Sequence, residues 1–242
     1  MFKLRHTARL AAGALAVATL AGATASTTAT ATAPDDSAAG EAECATGATT
    51  ADSAASESAE AEASGEAGDF AGVWVVAEGS EVGYRVPEEL AGVDTEAVGR
   101  GTDVAGSFTV VGDEVTEACI VVEVATITSD EAMRDGQFTG RIMETSEFPT
   151  ATFVITEPLS LDDLPEVGGE AVTVGVTGEL TLHGVTNEVS FDAQVQAGEQ
   201  GIGLLGEIPI VFEDYAISNP SGGPAQVGDE GSLEVLLLFA QA

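Results

Sequence analysis

The chain has 242 residues, of which 41 are acidic and seven basic, and its formal net charge is -34. So negative a surface repels phosphates, which excludes nucleic-acid partners and docking to an anionic membrane through a basic patch. Aromatic and large aliphatic residues are concentrated after residue 69, so only that part has the composition of a folded domain.

Residues 1–33 are predicted to be a signal peptide. A short basic start precedes an uncharged Ala- and Leu-rich run at 10–23, and ATA at 31–33 is an A-x-A cleavage site. The run is shorter than the roughly 20 residues that a membrane-spanning helix needs. A retained N-terminal anchor is the alternative, and both predict a secreted or cell-envelope protein. Cleavage removes three of the seven basic residues and no acidic one, so the net charge moves from -34 to -37.

Residues 34–68 are predicted to be a disordered acidic linker. The segment is rich in Ala, Ser, Thr, Glu, Asp and Gly and has no aromatic or large aliphatic residue. Burial therefore does not offset the entropy of ordering it. It contains Cys44, whereas the other cysteine, Cys119, lies in the folded part. In an oxidising compartment the two thiols either pair, tethering the linker to the domain, or remain free; the sequence leaves both open.

Residues 69–242 are predicted to form one all-β domain, because short runs of alternating apolar residues are separated by turn-forming Gly, Asp and Pro. Pro87 and Gly112-Asp113 are among the predicted breaks. Eight strands are expected, six of them as single runs and two as a hairpin. They lie at 72–86, 102–111, 115–128, 148–157, 203–213 and 232–241, with the hairpin at 172–195.

The hairpin has the clearest pattern. Apolar residues occupy even positions between Val172 and Leu182 and odd positions between Val189 and Val195, on either side of a Gly/Asn turn at 184–187. Period two on both sides predicts a strand pair with one apolar face.

The segment 129–143 departs from this alternation. Ser129 is followed by Asp130 and Glu131, which is a pattern typical of a helix start because acidic side chains are favourable near the positive end of the helix dipole. Gly136 is expected to end the first turns, so one or two short helices are predicted.

Eight antiparallel strands with one apolar face each and no second core favour a closed barrel over a sandwich. At this size the interior is either filled by side chains or holds one small ligand. The periodicity of the sequence does not choose between them.

Several segments resemble, in order and spacing, the YceI-like family. They read MRDGQF at 133–138, RIM at 141–143, FPTATF at 148–153 and GELTLHGVT at 178–186, after Trp74, SEVGY at 80–84 and GSF at 106–108. The resemblance spans 69–242 and implies an eight-stranded, antiparallel, lipocalin-like barrel that is exported and encloses a polyisoprenoid chain, such as a prenylated quinone or a polyprenyl lipid. It also implies a protein without catalytic activity or cofactor. The chain differs from many members at Gln137, where they carry His, and in its long acidic linker.

Eight apolar residues are the candidates for contact with the lipid. An isoprenoid tail forms no hydrogen bonds, so its binding relies on burial, worth about 25 cal/mol per Å² of apolar surface. The same side chains would equally fill the core of a structural or interaction module, which is the alternative function. The candidates are Val82, Tyr84, Phe108, Phe153, Leu180, Leu182, Phe191 and Phe212.

A second set lies on the predicted helical segment, where arginines occur in a chain nearly devoid of cations. Its members are candidates for a gate or a polar head-group contact, and the structural alternative is an ion pair that holds the helix over the barrel mouth, worth about 0–1 kcal/mol when exposed. They are Arg134, Asp135, Gln137, Phe138 and Arg141.

His183 is the single histidine of the chain after cleavage. No nucleophile and carboxylate occur at a spacing that would make it a catalytic base, and one His with two Cys gives no metal-ligand spacing. We therefore expect His183 to cap a turn and the protein to bind no metal. An enzyme that acts on a lipid is the third hypothesis, and the oligomeric state is left open.

Overall fold

The computed structural model describes Cys44 and residues 70–160, 165, 167–198, 201–222 and 225–242. The predicted signal peptide lies outside the described residues, and so does the predicted linker apart from Cys44. Thirteen strands are found in the described part, each antiparallel to its neighbours. In chain order they are β1 Gly72–Val76, β2 Glu81–Leu90, β3 Val93–Gly101, β4 Val104–Val111, β5 Glu114–Glu123, β6 Thr128–Ser129, β7 Thr150–Ile155, β8 Leu159–Ser160, β9 Val172–Leu182, β10 Val185–Gly198, β11 Gly201–Val211, β12 Ala225–Val227 and β13 Glu230–Gln241.

The sheet closes on itself. Around the ring the neighbours are β1, β4, β5, β7, β9, β10, β11 and β13, and β13 pairs back onto β1, with Phe239 opposite Val76. β13 pairs with β1 near its C-terminal end and with β2 nearer its start, and β3 pairs with β2 as β4 pairs with β1. β2 and β3 therefore continue the positions of β1 and β4 and add no new position to the ring. The predicted all-β, eight-stranded antiparallel barrel is confirmed, and closure leaves the ring without free edges.

The predicted strand 72–86 is two strands, β1 and β2. At the break Ser80 is buried, and its hydroxyl donates to the Ala77 carbonyl at 2.9 Å and accepts from the Leu238 amide at 2.9 Å. The predicted stop at Pro87 is wrong, because β2 continues to Leu90. Pro87 lies between the part of β2 that pairs with β13 and the part that pairs with β12, so its missing N–H can face a gap in the ladder.

Two further predicted strands run on into 3₁₀ turns, and one strand, β3, was not predicted. β3 was missed because its first half, including Val93 at 66% exposure, lies in solvent and shows no apolar alternation. The predicted strand 115–128 ends at Glu123 and the predicted strand 203–213 ends at Val211. Each gives way to a 3₁₀ turn, Val124–Thr126 and Phe212–Tyr215, that turns apolar side chains into the barrel end.

The β9–β10 hairpin is confirmed, with its turn placed earlier than predicted. His183 and Gly184 form a two-residue turn with φ of 51° and 74°, and such turns match the twist of antiparallel strands. Leu182 is therefore opposite Val185 on the same face. This pairing explains why the apolar parity changes from even to odd across the turn.

One helical segment covers an end of the barrel. Helix α1, Ala132–Gln137, continues directly into a π-helical turn, Phe138–Ile142. The expected stop at Gly136 is wrong: Gly136 faces open space, and the chain is anchored on both sides of it. On one side Asp135 accepts hydrogen bonds from the Ser129 amide at 2.8 Å and hydroxyl at 2.7 Å, and on the other Phe138 is buried.

The buried apolar residues form two clusters along the barrel. One lies under the helix and includes Tyr84 and Leu180, and the other lies toward the opposite end and includes Trp74 and Phe239. The side chain of Phe153 packs against both. Within the described part of the chain, no helix has the length and hydropathy needed to cross a membrane.

Candidate ligand-binding site

The barrel interior holds a cavity of about 420 Å³, called here the mouth chamber. Inward residues of β2, β3, β5, β7, β9, β11 and β13 form its wall, and the helical segment covers it. Met133 and Leu90 also line it and are 75% and 44% exposed, so the chamber reaches the surface between the helix and the β2–β3 hairpin. Its volume lies in the ordinary range of small-molecule sites.

A second cavity of about 120 Å³, the deep chamber, lies toward the other end of the barrel. Its lining is entirely apolar, and every lining residue is buried or half-buried. The two chambers share four lining residues and are therefore adjacent. The shared residues are Ile120, Phe153, Ile208 and Val235.

The burial of the inward side chains agrees with a hollow interior. In the described residues no large side chain is less than 2% exposed, although well-packed cores have few voids larger than a water molecule. Phe153 and Phe191 face the lumen yet are only half-buried. Empty apolar space of this kind can take an apolar ligand.

The eight predicted lumen residues all line a chamber. Six of them, including Phe153, border the mouth chamber, and Phe108 and Phe191 border the deep one. That these side chains contact a ligand stays a prediction. The six are Val82, Tyr84, Phe153, Leu180, Leu182 and Phe212.

Three of the four charged residues that line the mouth chamber, Glu88, Glu131 and Arg134, lie at its rim, and the fourth, Glu234, lies on β13. The Arg134 guanidinium lies 2.6 Å from the Asp130 carboxylate and 3.4 Å from that of Glu88, whose side chain is only 9% exposed. Burial would lower the pKa of Arg134, but the two carboxylates outweigh it and raise the pKa above its usual value. Arg134 is thus a permanent cation whose charge is already balanced within the protein.

The other predicted rim residues have different positions. Phe138 lines the mouth chamber and stacks on Tyr84 at a centroid distance of 4.8 Å, and Gln137 lines it as well. Asp135 and Arg141 do not line it. Asp135 anchors the helix to Ser129, and Arg141 donates to the side-chain oxygen of Gln137 at 3.2 Å and to the Pro220 carbonyl at 3.3 Å. These contacts hold the helix across the mouth.

Burial also affects the phenol of Tyr84, whose ring stacks on that of Phe138. It raises the pKa of Tyr84 above its ordinary value, with the nearby Arg134 acting in the opposite direction. The phenol is therefore neutral at physiological pH. A neutral hydroxyl can donate a hydrogen bond to an uncharged acceptor.

Glu234 joins two arginines at the wall of the mouth chamber. Its carboxylate accepts from Nε of Arg85 at 2.8 Å and also pairs with Arg100. Burial opposes ionisation of Glu234, but Arg85 and Arg100 outweigh it and hold the pKa of that carboxyl below its usual value. This network ties β13 to β2 and β3.

His183 lies outside both chambers. Its Nδ1 is 3.0 Å from the Tyr215 carbonyl, its Nε2 is 3.2 Å from the Glu144 carboxylate, and its ring meets Phe148 edge to face. The residue thus joins the β9–β10 turn to two neighbouring segments. Among the described residues, no group of three or more His, Cys, Asp and Glu is placed to hold a metal ion.

Cys44 and Cys119 form a disulfide, with their Cα atoms 5.7 Å apart. Cys119 lies on β5 between Ala118 and Ile120, which line the deep chamber, so its own side chain faces the outside of the barrel. The bond therefore attaches residue 44 to the outer wall.

Sequence reasoning missed part of this site. Glu88 follows Pro87, which the turn pattern predicts to be a strand end, and it was not among the predicted site residues. Inward residues of β11 and β13, such as Ile208, Ile210 and Leu233, were not named although they alternate in step with Phe212 and Leu237. The period-two rule applied to every strand would have found them.

Comparison with known proteins agrees with this fold. The model of the YceI-like domain matches residues 74–239. A UPF0312 protein of Shewanella sp. strain MR-4 is 32% identical over 147 residues, covering 57% of this chain and 72% of that protein. A polyisoprenoid binding domain from Saccharophagus degradans superposes with a TM-score of 0.58 at 18% identity, over 71% of this chain and 99% of that one. BcnA of Burkholderia cenocepacia gives 0.50 at 20% identity, over 66% and 95%.

Proposed function

Because the chain belongs to the YceI-like domain family, we propose that it is a non-catalytic carrier that encloses the tail of a polyisoprenoid lipid, a prenylated quinone or a polyprenyl lipid. The observation that carries this proposal is the pair of adjacent apolar chambers inside the closed barrel. The solved structure of a polyisoprenoid binding domain with the same fold supports it. A solid-cored interaction module would instead leave no empty space of this size inside the barrel, whereas the described residues surround two chambers.

The rim favours a lipid whose head group is uncharged. Arg134 is paired with Glu88 and Asp130, Arg141 lies outside the chamber lining, and the chain carries 41 acidic residues, so an anionic head would enter a negative field. A quinone or alcohol head requires only hydrogen bonds, which Tyr84 and Gln137 at the chamber wall can donate.

The absence of catalysis belongs to the same proposal. His183 is the described residue best suited to act as a base, and it lies outside both chambers with its ring nitrogens next to a backbone carbonyl and Glu144. Of the carboxylates that line the mouth chamber, Glu88 and Glu234 are each paired with arginine. This placement supports binding over turnover.

Export completes the proposal: a signal peptide at 1–33, a linker at 34–68 and a carrier domain at 69–242, released outside the cytoplasm. The disulfide between Cys44 and Cys119 supports it, because such bonds persist in oxidising compartments.

The test is to express the full chain in a bacterium, purify the exported protein, extract it with organic solvent and identify the lipids by mass spectrometry. The proposal predicts about one prenyl lipid per chain, and a delipidated sample should regain it from liposomes that contain the lipid. Recovery of phospholipid alone, or of no lipid with no uptake from liposomes, would contradict the proposal.

A further inference from the structure

Two phenylalanine rings meet at the boundary between the two chambers, which Ile120, Ile208 and Val235 also border. Phe153 on β7 lines both chambers, and Phe191 on β10 lines the deep one. Their rings meet edge to face with centroids 5.8 Å apart. Both side chains also pack against the two apolar clusters of the barrel. The pair therefore lies where the lumen changes from one compartment to the other.

Each ring lies over a glycine at an inward position of the wall. A Cβ atom at Gly178, between the inward residues Val176 and Leu180, would come within 2.5 Å of the Phe153 ring. A Cβ atom at Gly206 would come within 2.9 Å of the Phe191 ring. The two missing side chains provide the space that the rings occupy, so the two glycines help to place the rings at this level of the barrel.

The chamber volumes translate into a tail length. An isoprene unit fills roughly 100 Å³ at the packing density of protein interiors. The mouth chamber, at about 420 Å³, then encloses about four units, and the deep chamber, at about 120 Å³, adds about one. Removing one phenyl ring would join the chambers and free the volume of roughly one more unit.

We propose that the Phe153–Phe191 pair sets the length of prenyl tail that the lumen encloses, with about four isoprene units in the mouth chamber. The deep chamber is reached only when the pair opens. This inference rests on the proposed function and adds to it a length limit with named residues.

Trp74 supplies a reporter for the deep chamber. It is the single tryptophan of the chain, and its ring stacks on that of Phe108, which lines the deep chamber, at 6.0 Å. A tail that enters the deep chamber should change the Trp74 emission, whereas a tail confined to the mouth chamber should not.

The experiment titrates the delipidated full chain with uncharged prenyl alcohols of two to nine isoprene units, following bound fraction by native mass spectrometry and Trp74 emission. For wild type, affinity should rise to about four units and then level off, with Trp74 silent. For Phe153→Ala the affinity should rise up to about six units, and the six-unit alcohol should bind at least tenfold more tightly than the four-unit alcohol. The Trp74 emission should then change. Phe191→Ala is the second variant, in case Phe153→Ala folds poorly.

Leu182→Ala is the matched control, because Leu182 lines the mouth chamber alone. It also enlarges the lumen, but Trp74 should stay silent at every length. An unchanged plateau and a silent Trp74 in both phenylalanine variants would overturn the length limit and leave the carrier proposal intact. A wild-type affinity that keeps rising to nine units, with a change in Trp74 emission, would also overturn the length limit and leave the carrier proposal intact. If wild type binds no alcohol of any length, both proposals fall.

Discussion

Replacing Ala151 with phenylalanine distinguishes a hollow barrel from a filled one. Ala151 lies on β7, is buried, and lines the mouth chamber. In a hollow barrel the new ring enters empty space, whereas in a filled one it forces its neighbours apart. The two interpretations therefore predict opposite signs for the change in stability.

The magnitude follows from the cavity volume. A phenyl group adds roughly 100 Å³, and at about 24 cal/mol per Å³ of cavity removed the empty barrel should gain up to about 2.4 kcal/mol. Overpacking a filled core would instead cost about 1 to 3 kcal/mol. The ring also displaces about one isoprene unit of the ligand, and at about 0.8 kcal/mol per buried carbon the affinity should fall by up to about 4 kcal/mol, or a thousandfold.

The assay is urea unfolding of delipidated protein together with titration by a four-unit prenyl alcohol. Ala105→Phe is the matched control, because Ala105 is exposed on β4 and the same substitution there should alter neither quantity by much. A lower urea midpoint for Ala151→Phe, or unchanged affinity for the alcohol, would show that the mouth chamber is not empty space.

Three further predictions concern the groups around the lumen. Glu234→Gln should destabilise the protein at pH 7. The difference in urea midpoint between the variant and wild type should close as the pH falls below 4.5, because the lowered pKa of Glu234 gives a stabilisation that protonation removes. A difference that is independent of pH would contradict this. Cys44→Ser with Cys119→Ser should lower the free energy of unfolding by at most about 4.5 kcal/mol, the closure entropy of a 75-residue loop, whereas an unchanged value would show that the bond constrains nothing. Arg134→Met should speed lipid release up to about fivefold in a stopped-flow transfer assay, since it removes the ion pair with Glu88, worth about 0–1 kcal/mol. Glu88→Gln should give the same change. Equal release rates in wild type and both variants would count against a helix held by this ion pair.

The architecture was predictable because it depends on short-range pattern. Alternation along 172–195 and turn residues between runs predicted the eight strands of the ring and favoured a closed barrel, which the resemblance to the YceI-like family also implied. The errors arose where a tertiary partner decided the outcome. Pro87 is accommodated within β2 because β12 and β13 leave a gap in the ladder beside it, and the local sequence does not show that gap. β3 lies half in solvent, so it lacks the alternation of apolar residues that predicts a strand.

The site was predictable in part. Aromatic and aliphatic residues at inward positions, such as Phe153 and Leu180, were identified from parity, and they line the chambers. Whether they filled the lumen or surrounded space was not readable, because that depends on how rings pack across the barrel. The glycines at 178 and 206 illustrate this: in sequence they interrupt an apolar face, and in the structure they accommodate the two rings that divide the lumen.

The location of the tail is the point on which the account depends. A four-unit prenyl alcohol with a diazirine on its last isoprene unit, irradiated with the delipidated protein and mapped by peptide mass spectrometry, reports that location directly. We expect adducts at Phe153, Leu180 and Ile208, at the inner end of the mouth chamber. Adducts at Leu205, Leu236 and Leu238, which are exposed on the outer wall, would show that the lipid binds outside the barrel and would contradict the account.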